Sequence, residues 1–384
     1  MVDTTHTSDR ILLATVAFVV LAVALSAPPA GAQSSSGTLL DDPLGTPMRV
    51  RDFTLPSFLT LGFAPAPAAP LGRGASAFEI HFSKVNDFQM STAVEAYLQQ
   101  KYGGHRHSLD ASDAAAIASL PAGEGFFIDG EFDFYDFAVH YGITDRLDVA
   151  LQLSYIHYGG GILDRTIYDF HRAFGLGQQG RTYVTENRFQ AIFGADGVTY
   201  ARWLEAPSRG GFSDPSVFLR YAIPGDIGGF RFSLMGGVKP PLASVDRFLS
   251  TGSWDWGGQL TAETRSDRDA LIFNLAVVFP GAFKPSAAHD VRFEPPTLPS
   301  LDVAWLHRLH RWPATTSFVQ LLFAEHPLRR LVDSAVSRLE FQATFGLKWH
   351  TADGMLAFGL TENLFNFENT PDIGVHLGWG TLVP

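Results

Sequence analysis

Twelve stretches of this chain alternate apolar and polar side chains, and the connections between them alternate long and short. That double alternation restricts the fold more than any single motif does. The unit is plain in FDFYDFAVHYGITDRLDVALQLSYIHYGGG, residues 132–161, where two runs flank the turn ITDR. Successive side chains on a strand point to opposite faces, so odd and even positions can be sorted. In SRLEFQATFGLKWH, Leu339, Phe341, Ala343, Phe345, Leu347 and Trp349 share one face, and Arg338, Glu340, Gln342, Thr344 and Lys348 share the other. The twelve runs lie near 76–86, 125–141, 146–158, 211–223, 228–238, 253–265, 269–279, 299–309, 315–325, 337–349, 354–361 and 372–382. One carries a phase slip: Phe132 and Phe134 are even, whereas Phe137, Val139 and Tyr141 are odd. A β-bulge near Tyr135–Asp136 is the expected cause.

The short connections are ITDR, IPGD, TRSD and the turns around HRWP and TADG. The long ones cover 87–124, 159–210, 239–252, 281–298, 326–336 and 362–371. Short turns at one end and long loops at the other mark an outer-membrane barrel, with both termini in the periplasm when the strand number is even. A soluble sandwich would bury its apolar face and cover the outside with charge. Here charged residues are only 17%, aromatic residues reach 13%, and 32 of the residues are Phe. Backbone groups in lipid must be paired internally, so a closed barrel is the only β solution. The fold class is therefore all-β: a transmembrane, antiparallel up-and-down barrel of about 12 strands (range about 10–14), with short helices in the long extracellular loops. Trp254, Trp256, Trp305 and Trp349 are expected at the lipid interfaces, where aromatic girdles sit.

Residues 1–32 read as a signal peptide: a polar start with Arg10, the apolar run Ile11–Leu25, and Ala30-Gly31-Ala32 as the cleavage pattern. Localisation in the bacterial outer membrane after cleavage follows as the expectation. The formal net charge is −11, which argues against a nucleic-acid partner. There is no Cys, so disulfides and thiolate metal sites are excluded. Residues 33–74 are Pro-rich and precede the barrel, residues 75–384. Phe53, Leu55, Phe58, Leu59, Leu61 and Phe63 form a dense apolar set there. Leaving that set in water costs roughly 1.5–3 kcal/mol per large side chain. At least part of 48–72 is therefore expected to pack inside or against the lumen as a plug, with Phe53, Phe58, Leu61 and Phe63 as its contacts; a disordered periplasmic tail is the competing reading.

YGITDRLDVALQLSY and GFSDPSVFLRY resemble hairpins of bacterial outer-membrane channels of the fatty-acid and aromatic-degradation type. VRDFTLPSFLTLGFAPAPAAP, DFHRAFGLGQQGR, GVKPPLAS and GLTENLFNFENTPDIGVHLGWG resemble domain-of-unknown-function family 3187, a bacterial outer-membrane β-barrel family, over about 45–382. The resemblance implies an outer-membrane barrel and supplies no substrate. Such barrels usually end on an aromatic residue read by the assembly machinery, whereas this chain ends Leu382-Val383-Pro384.

The candidate lumen-facing residues are Glu79, His81, Asp214, Arg220, Arg231, Asp255, Glu263, Asp302, Arg338, Glu340, Lys348 and His376. They suit either a salt-bridged filling or a polar channel with a constriction. His171, Arg172, Arg181 and Arg188, in the second long loop, are candidates for contact with anions such as lipopolysaccharide phosphate, or for pairing with Asp164 and Asp169. Gly175, Gly177 and Gly180 match G-x-G-x-x-G but follow a helix expected over Leu163–Phe174, the wrong context for a dinucleotide. His105 and His107 flank Arg106, which opposes a metal site. Ser154, His157 and His140 are the only hint of a hydrolytic dyad. No catalytic residue, metal or cofactor is expected. The function that fits best is a gated channel or transporter for small, partly apolar solutes in a monomeric barrel. A structural or adhesion barrel is the alternative, and a lipid-modifying enzyme the second. The expected partners are outer-membrane lipid, lipopolysaccharide, the barrel-assembly machinery and a small solute.

Overall fold

The computed structural model describes residues 45–383, apart from 122, 176, 179, 196, 285–291, 330–338, 352–353 and 364–369. The signal peptide, the first residues of the Pro-rich segment and Arg338 lie outside the described residues.

Fifteen strands are present among the described residues: β1 (Ser76–Met90), β2 (Gly125–Gly142), β3 (Leu147–Gly159), β4 (Gln190–Ala195), β5 (Val198–Trp203), β6 (Gly211–Phe212), β7 (Ser216–Ile227), β8 (Phe230–Lys239), β9 (Asp255–Arg265), β10 (Asp269–Phe279), β11 (Leu298–Arg308), β12 (Thr315–Ala324), β13 (Glu340–Thr351), β14 (Gly354–Glu362) and β15 (Ile373–Val383). Twelve of them close a ring of antiparallel neighbours. β1 pairs with β2 on one side and β15 on the other, and β3 pairs with β2 and β7. The barrel strands run from 9 residues in β14 to 18 in β2. A tilted strand needs about 9–11 residues to cross the hydrocarbon layer, so each is long enough. The short turns, the start of β1 and the end of β15 share one end of the barrel; the long loops share the other.

β4, β5 and β6 are the additional short strands. β2 overshoots the rim, and its residues Gly125–Asp129 pair with β4, which with β5 forms a hairpin inside the second long loop. Helices α1 (Thr92–Tyr102) and α2 (Ala111–Ala118) pack against this overshoot through Phe88, Val94, Leu98, Ile117, Phe127 and Ile192. The single run expected over 211–223 is broken. β6 pairs with β3 at Tyr155–Ile156, and β7 pairs with it at Leu147–Gln152. Pro215, which has no N–H to give a ladder, lies in the gap.

The bulge expected near Tyr135–Asp136 is absent. β2 keeps an unbroken register with both β1 and β3 through this region. Phe132 and Phe134 are fully buried on the lumen face with Asp136 and Ala138, while Tyr135 and Val139 face outward. The phase never slips; the lumen face itself is aromatic at that height.

The outer face is apolar all round. Trp254, Trp256 and Phe279 sit at the long-loop end, with the Trp256 and Phe279 rings stacked at 4.3 Å. Trp305 and Trp349 are exposed near the short-turn end.

Candidate functional site

Inside the barrel runs the N-terminal segment itself. It has no strand partner, yet a buried backbone must still satisfy its polar groups. It does so through side chains of the wall. Near the short-turn end, Lys348 donates to the Thr46 carbonyl. Higher up, Gln320 grips Met48 at both N–H and C=O, at 2.7 and 3.0 Å. Arg51 donates to Asp136 at 2.6 Å and lies over the Phe134 ring. At the long-loop end the Leu55 N–H donates to Asp87 (2.9 Å), and the Thr54 hydroxyl meets Glu340 at 3.3 Å.

The chain then turns through a short 3-10 helix, Ser57–Leu59, and comes back. The Leu61 N–H donates to Asp255 (2.9 Å), Ala66 to Asn274 (3.3 Å), Ala68 to Glu263 (2.7 Å) and Leu71 to Asp148 (3.0 Å). Arg220 spans Asp148 and the Pro67 carbonyl. The segment is thus a bent insert whose two limbs both start at the short-turn end.

The tip of the insert is packed as well as pinned. Phe53 and Phe58 each lie about 5 Å, centroid to centroid, from Phe134, and Phe58 also packs edge-on to Phe132 at 5.1 Å. Around them Tyr158, Phe189, Phe248 and Phe283 continue the cluster into the long loops. Both limbs find room where the wall is glycine: a Cβ at Gly257 would lie 2.9 Å from the Phe63 ring of the descending limb, and one at Gly359 would lie 2.9 Å from the Met48 sulfur of the first limb.

The residues expected in the lumen divide by role. Asp255, Glu263, Glu340 and Lys348 bind the insert's main chain or hydroxyls. Arg220 does so through Pro67. Glu79 is buried among Arg49, His81 and His140, with contacts of 3.6, 3.1 and 3.1 Å. His376 stacks on Phe53 and bonds with Ser83 and Thr361. Asp302 is buried beside Asn274. Asp214 turns inward at the β6–β7 gap, taking Lys239, Ser250 and two backbone N–H groups. Arg231 is half exposed at the short-turn end, 3.1 Å from Glu263.

The anchors Asp87, Asp136, Asp148, Asn274 and Gln320 are not in the expected set. Three of them were readable: Asp136 and Asp148 have inward parity on their strands, and Asn274 opposes the outward face of its run.

In the second long loop, His171 is buried and bonds the Gly177 carbonyl. Arg181 is buried too, bound to Asp164, Asp372 and Asn86 and stacked over Phe88 at 4.2 Å. Its guanidinium faces the protein interior and not an external anion. Arg172 and Arg188 are exposed, in helix α3 (Asp164–Phe174) and after it.

Ser154 and His157 lie on opposite faces of β3. Ser154 is buried and bonded to Asp136, while His157 is half exposed against Asp133 at 3.2 Å. They form no dyad. His107, Asp110 and Asp113 bring potential ligand atoms within 4.8 Å of one another. Asp110 is spent as the N-cap of α2, however, and Asp113 accepts from Tyr97, Tyr102 and Lys101.

A family model described as a protein of unknown function, DUF3187, matches residues 91–381. The chain belongs to that family. The family match covers the barrel from β2 onward and leaves both the insert and β1 outside it. Among solved structures, the COG4313 outer membrane channel from Pseudomonas putida F1 is 12% identical and aligns over 84% of this chain and 100% of that one, with a TM-score of 0.51. That likeness is one of fold. The Ralstonia pickettii toluene transporter TbuX aligns over 81% of this chain and 90% of its own at 9% identity, but with a TM-score of 0.36. The P. putida toluene transporter TodX aligns over 81% and 89% at 8% identity, with a TM-score of 0.32. Both align too loosely to bear on this chain. No curated protein matches.

Proposed function

We propose that this chain is an outer-membrane channel closed at rest by its own N-terminal segment, which passes small, partly apolar solutes when that segment shifts. One observation carries the reading: the barrel interior is occupied by residues 45–72, held by side-chain hydrogen bonds rather than by strand pairing. An insert that shares no ladder with the wall can leave without breaking the barrel. The mixed lining, rings at the tip and polar groups below, suits solutes of mixed character. The fold-level likeness to an outer-membrane channel supports the same class.

Planar-bilayer recording of the mature protein and of a chain lacking 33–72 tests the idea. The full chain is expected to conduct in rare, small events and the deletion to form a steady pore. Equal open-pore conductance in both removes the gate, and silence in both favours a structural barrel.

A further inference from the structure

We propose that the cavity at the short-turn end of the lumen binds a small monocarboxylate with a compact apolar body, and that Arg49 of the insert holds its carboxylate. This deepens the channel reading and rests on it. The cavity has a volume of about 40 Å³ for the centre of a water-sized sphere, a few times the roughly 10–15 Å³ that one water needs, so it admits only a small, compact ligand. One side is the descending limb, with Ala64, Pro65 and Ala66; the other is the wall, with Ala150, Phe218 and Met235.

The polar groups facing it decide the ligand's chemistry. Asp148 is saturated by Arg220 and by the Leu71 N–H. Glu79 is approached by His81, His140 and Arg49. Arg220 is spent on Asp148 and on the Pro67 carbonyl. Arg49 differs. Its single ionic neighbour among the described residues is Glu79, at 3.6 Å from Nε, and it makes no hydrogen bond among them. His140 Nε2 sits 3.1 Å from Glu79 but outside hydrogen-bonding geometry, and is buried without a bonded partner. Each carboxylate facing the cavity thus already has a cationic or donor neighbour, whereas Arg49 has N–H groups without a hydrogen bond among the described residues.

A ligand that completes this site must bring acceptors. A carboxylate matches the flat fork of a guanidinium, two oxygens to two N–H groups. A dianion is disfavoured by the nearby Glu79 and Asp148 charges. A hydrocarbon leaves the guanidinium unbonded. An amine meets carboxylates that already have cationic neighbours, and it adds its charge beside Arg49 and Arg220. The remaining wall is apolar and takes a body about the size of one ring.

Calorimetric titration of the detergent-solubilised full chain tests this, with benzoate, toluene and benzylamine as probes. Benzoate is expected to bind, and Arg49→Gln to weaken it by about tenfold or more, the usual loss of a hydrogen bond to a charged group. Arg49→Lys should recover part of that loss, and Ala150→Phe, which fills the cavity, should abolish binding with Arg49 intact. Toluene should bind more weakly and ignore Arg49→Gln. Heat-modifiable electrophoretic mobility checks that each variant has folded. If Arg49→Gln does not fold, Ala150→Phe and the benzoate–benzylamine contrast still decide. The proposal is overturned if benzoate fails to bind, if Arg49→Gln binds it equally, or if benzylamine binds as tightly. The two readings separate cleanly. If the 33–72 deletion opens a pore but benzoate does not bind, this site alone falls; if no form conducts, the channel falls.

Discussion

At the long-loop end the inserted segment packs among rings and bonds to Asp87 and Glu340; at the short-turn end it meets charges and an open cavity. Phe53 and Phe58 are enclosed by Phe132, Phe134 and Tyr158, with nothing between them large enough to hold a solute. Toward the short-turn end, Arg49 and Ala64–Pro67 border a cavity beside the Arg220–Asp148 pair. Packing of rings is short-ranged and lost all at once, whereas ion pairs can exchange partners. If the insert is the gate proposed above, the difference makes the tip the lock and the base the exchangeable part.

Phe53→Ala with Phe58→Ala should break that contrast most severely. Each large-to-small change in a packed core costs about 3–5 kcal/mol, and here the loss falls on the seat of the insert. Channel open probability is expected to rise toward that of the 33–72 deletion, and the Leu61 amide to lose hydrogen-exchange protection. An unchanged closed state would mean the tip is not the lock.

Asp148→Asn attacks the other end. It leaves Arg220 buried without its counter-charge, a loss of about 3–5 kcal/mol when one partner of a buried pair is removed. Urea unfolding in detergent should register it. Asp148→Leu with Arg220→Met should recover most of the stability, because neither partner is then left alone. If the double variant is as weak as the single one, the pair is not what holds the base.

A smaller effect concerns the outer helices, which sharpen the comparison by being independent of both ends. The Ser112 hydroxyl and the amide N–H groups of Asp113 and Ser112 hold the Asp110 carboxyl down at about 2. Burial works to raise the Asp113 carboxyl, but the Lys101 ammonium and other donors outweigh it and the net shift is downward. Because both folded values are depressed, the stabilisation is present above the ordinary carboxylate range near 3.9 and is lost as pH falls through the folded value. The Ser112 and Asp113 amides are expected to stay protected at pH 5 and to open locally as pH approaches 2, read by hydrogen exchange corrected for intrinsic rate. Protection that survives to pH 2 would rule out the capping carboxylates as its source.

The mildest test leaves the structure intact. Brominated lipid should quench fluorescence from the outward Trp254, Trp256, Trp305 and Trp349, and spare Trp203, which packs on Phe248 at 4.1 Å. Replacing these four together with the exposed Trp312 and Trp379 by Phe should remove most of the quenching; quenching that persists would place Trp203 in lipid.

The barrel was legible because a wall between lipid and lumen imposes period two on every strand, and the loop lengths reveal which end is which. The misreading at Phe132 and Phe134 has a physical origin. Alternation was interpreted as lipid against polar, but these rings face an apolar insert, so hydrophobicity alone could not tell the two faces apart. Parity could, since Asp136 and Ala138 continue the same face. The break at Pro215 was visible in a residue that cannot donate to a ladder. The β4–β5 hairpin went unread because strands lying above the rim have no lipid face to impose the pattern. Among the site residues, Asp87 and Gln320 were hidden because their partners are main-chain groups of a segment with no periodicity of its own. Arg181 looked like a surface cation because nothing in its neighbourhood of sequence places Asp372 beside it.

The course of the insert has a mechanical consequence. Both limbs pass through the same mouth, so the segment is a bight and not a thread. Drawing it out moves a doubled loop backward and carries no free end through the barrel, and whatever precedes Thr46 never has to cross. If the segment gates the barrel as proposed, its doubled course lets it leave and return without threading.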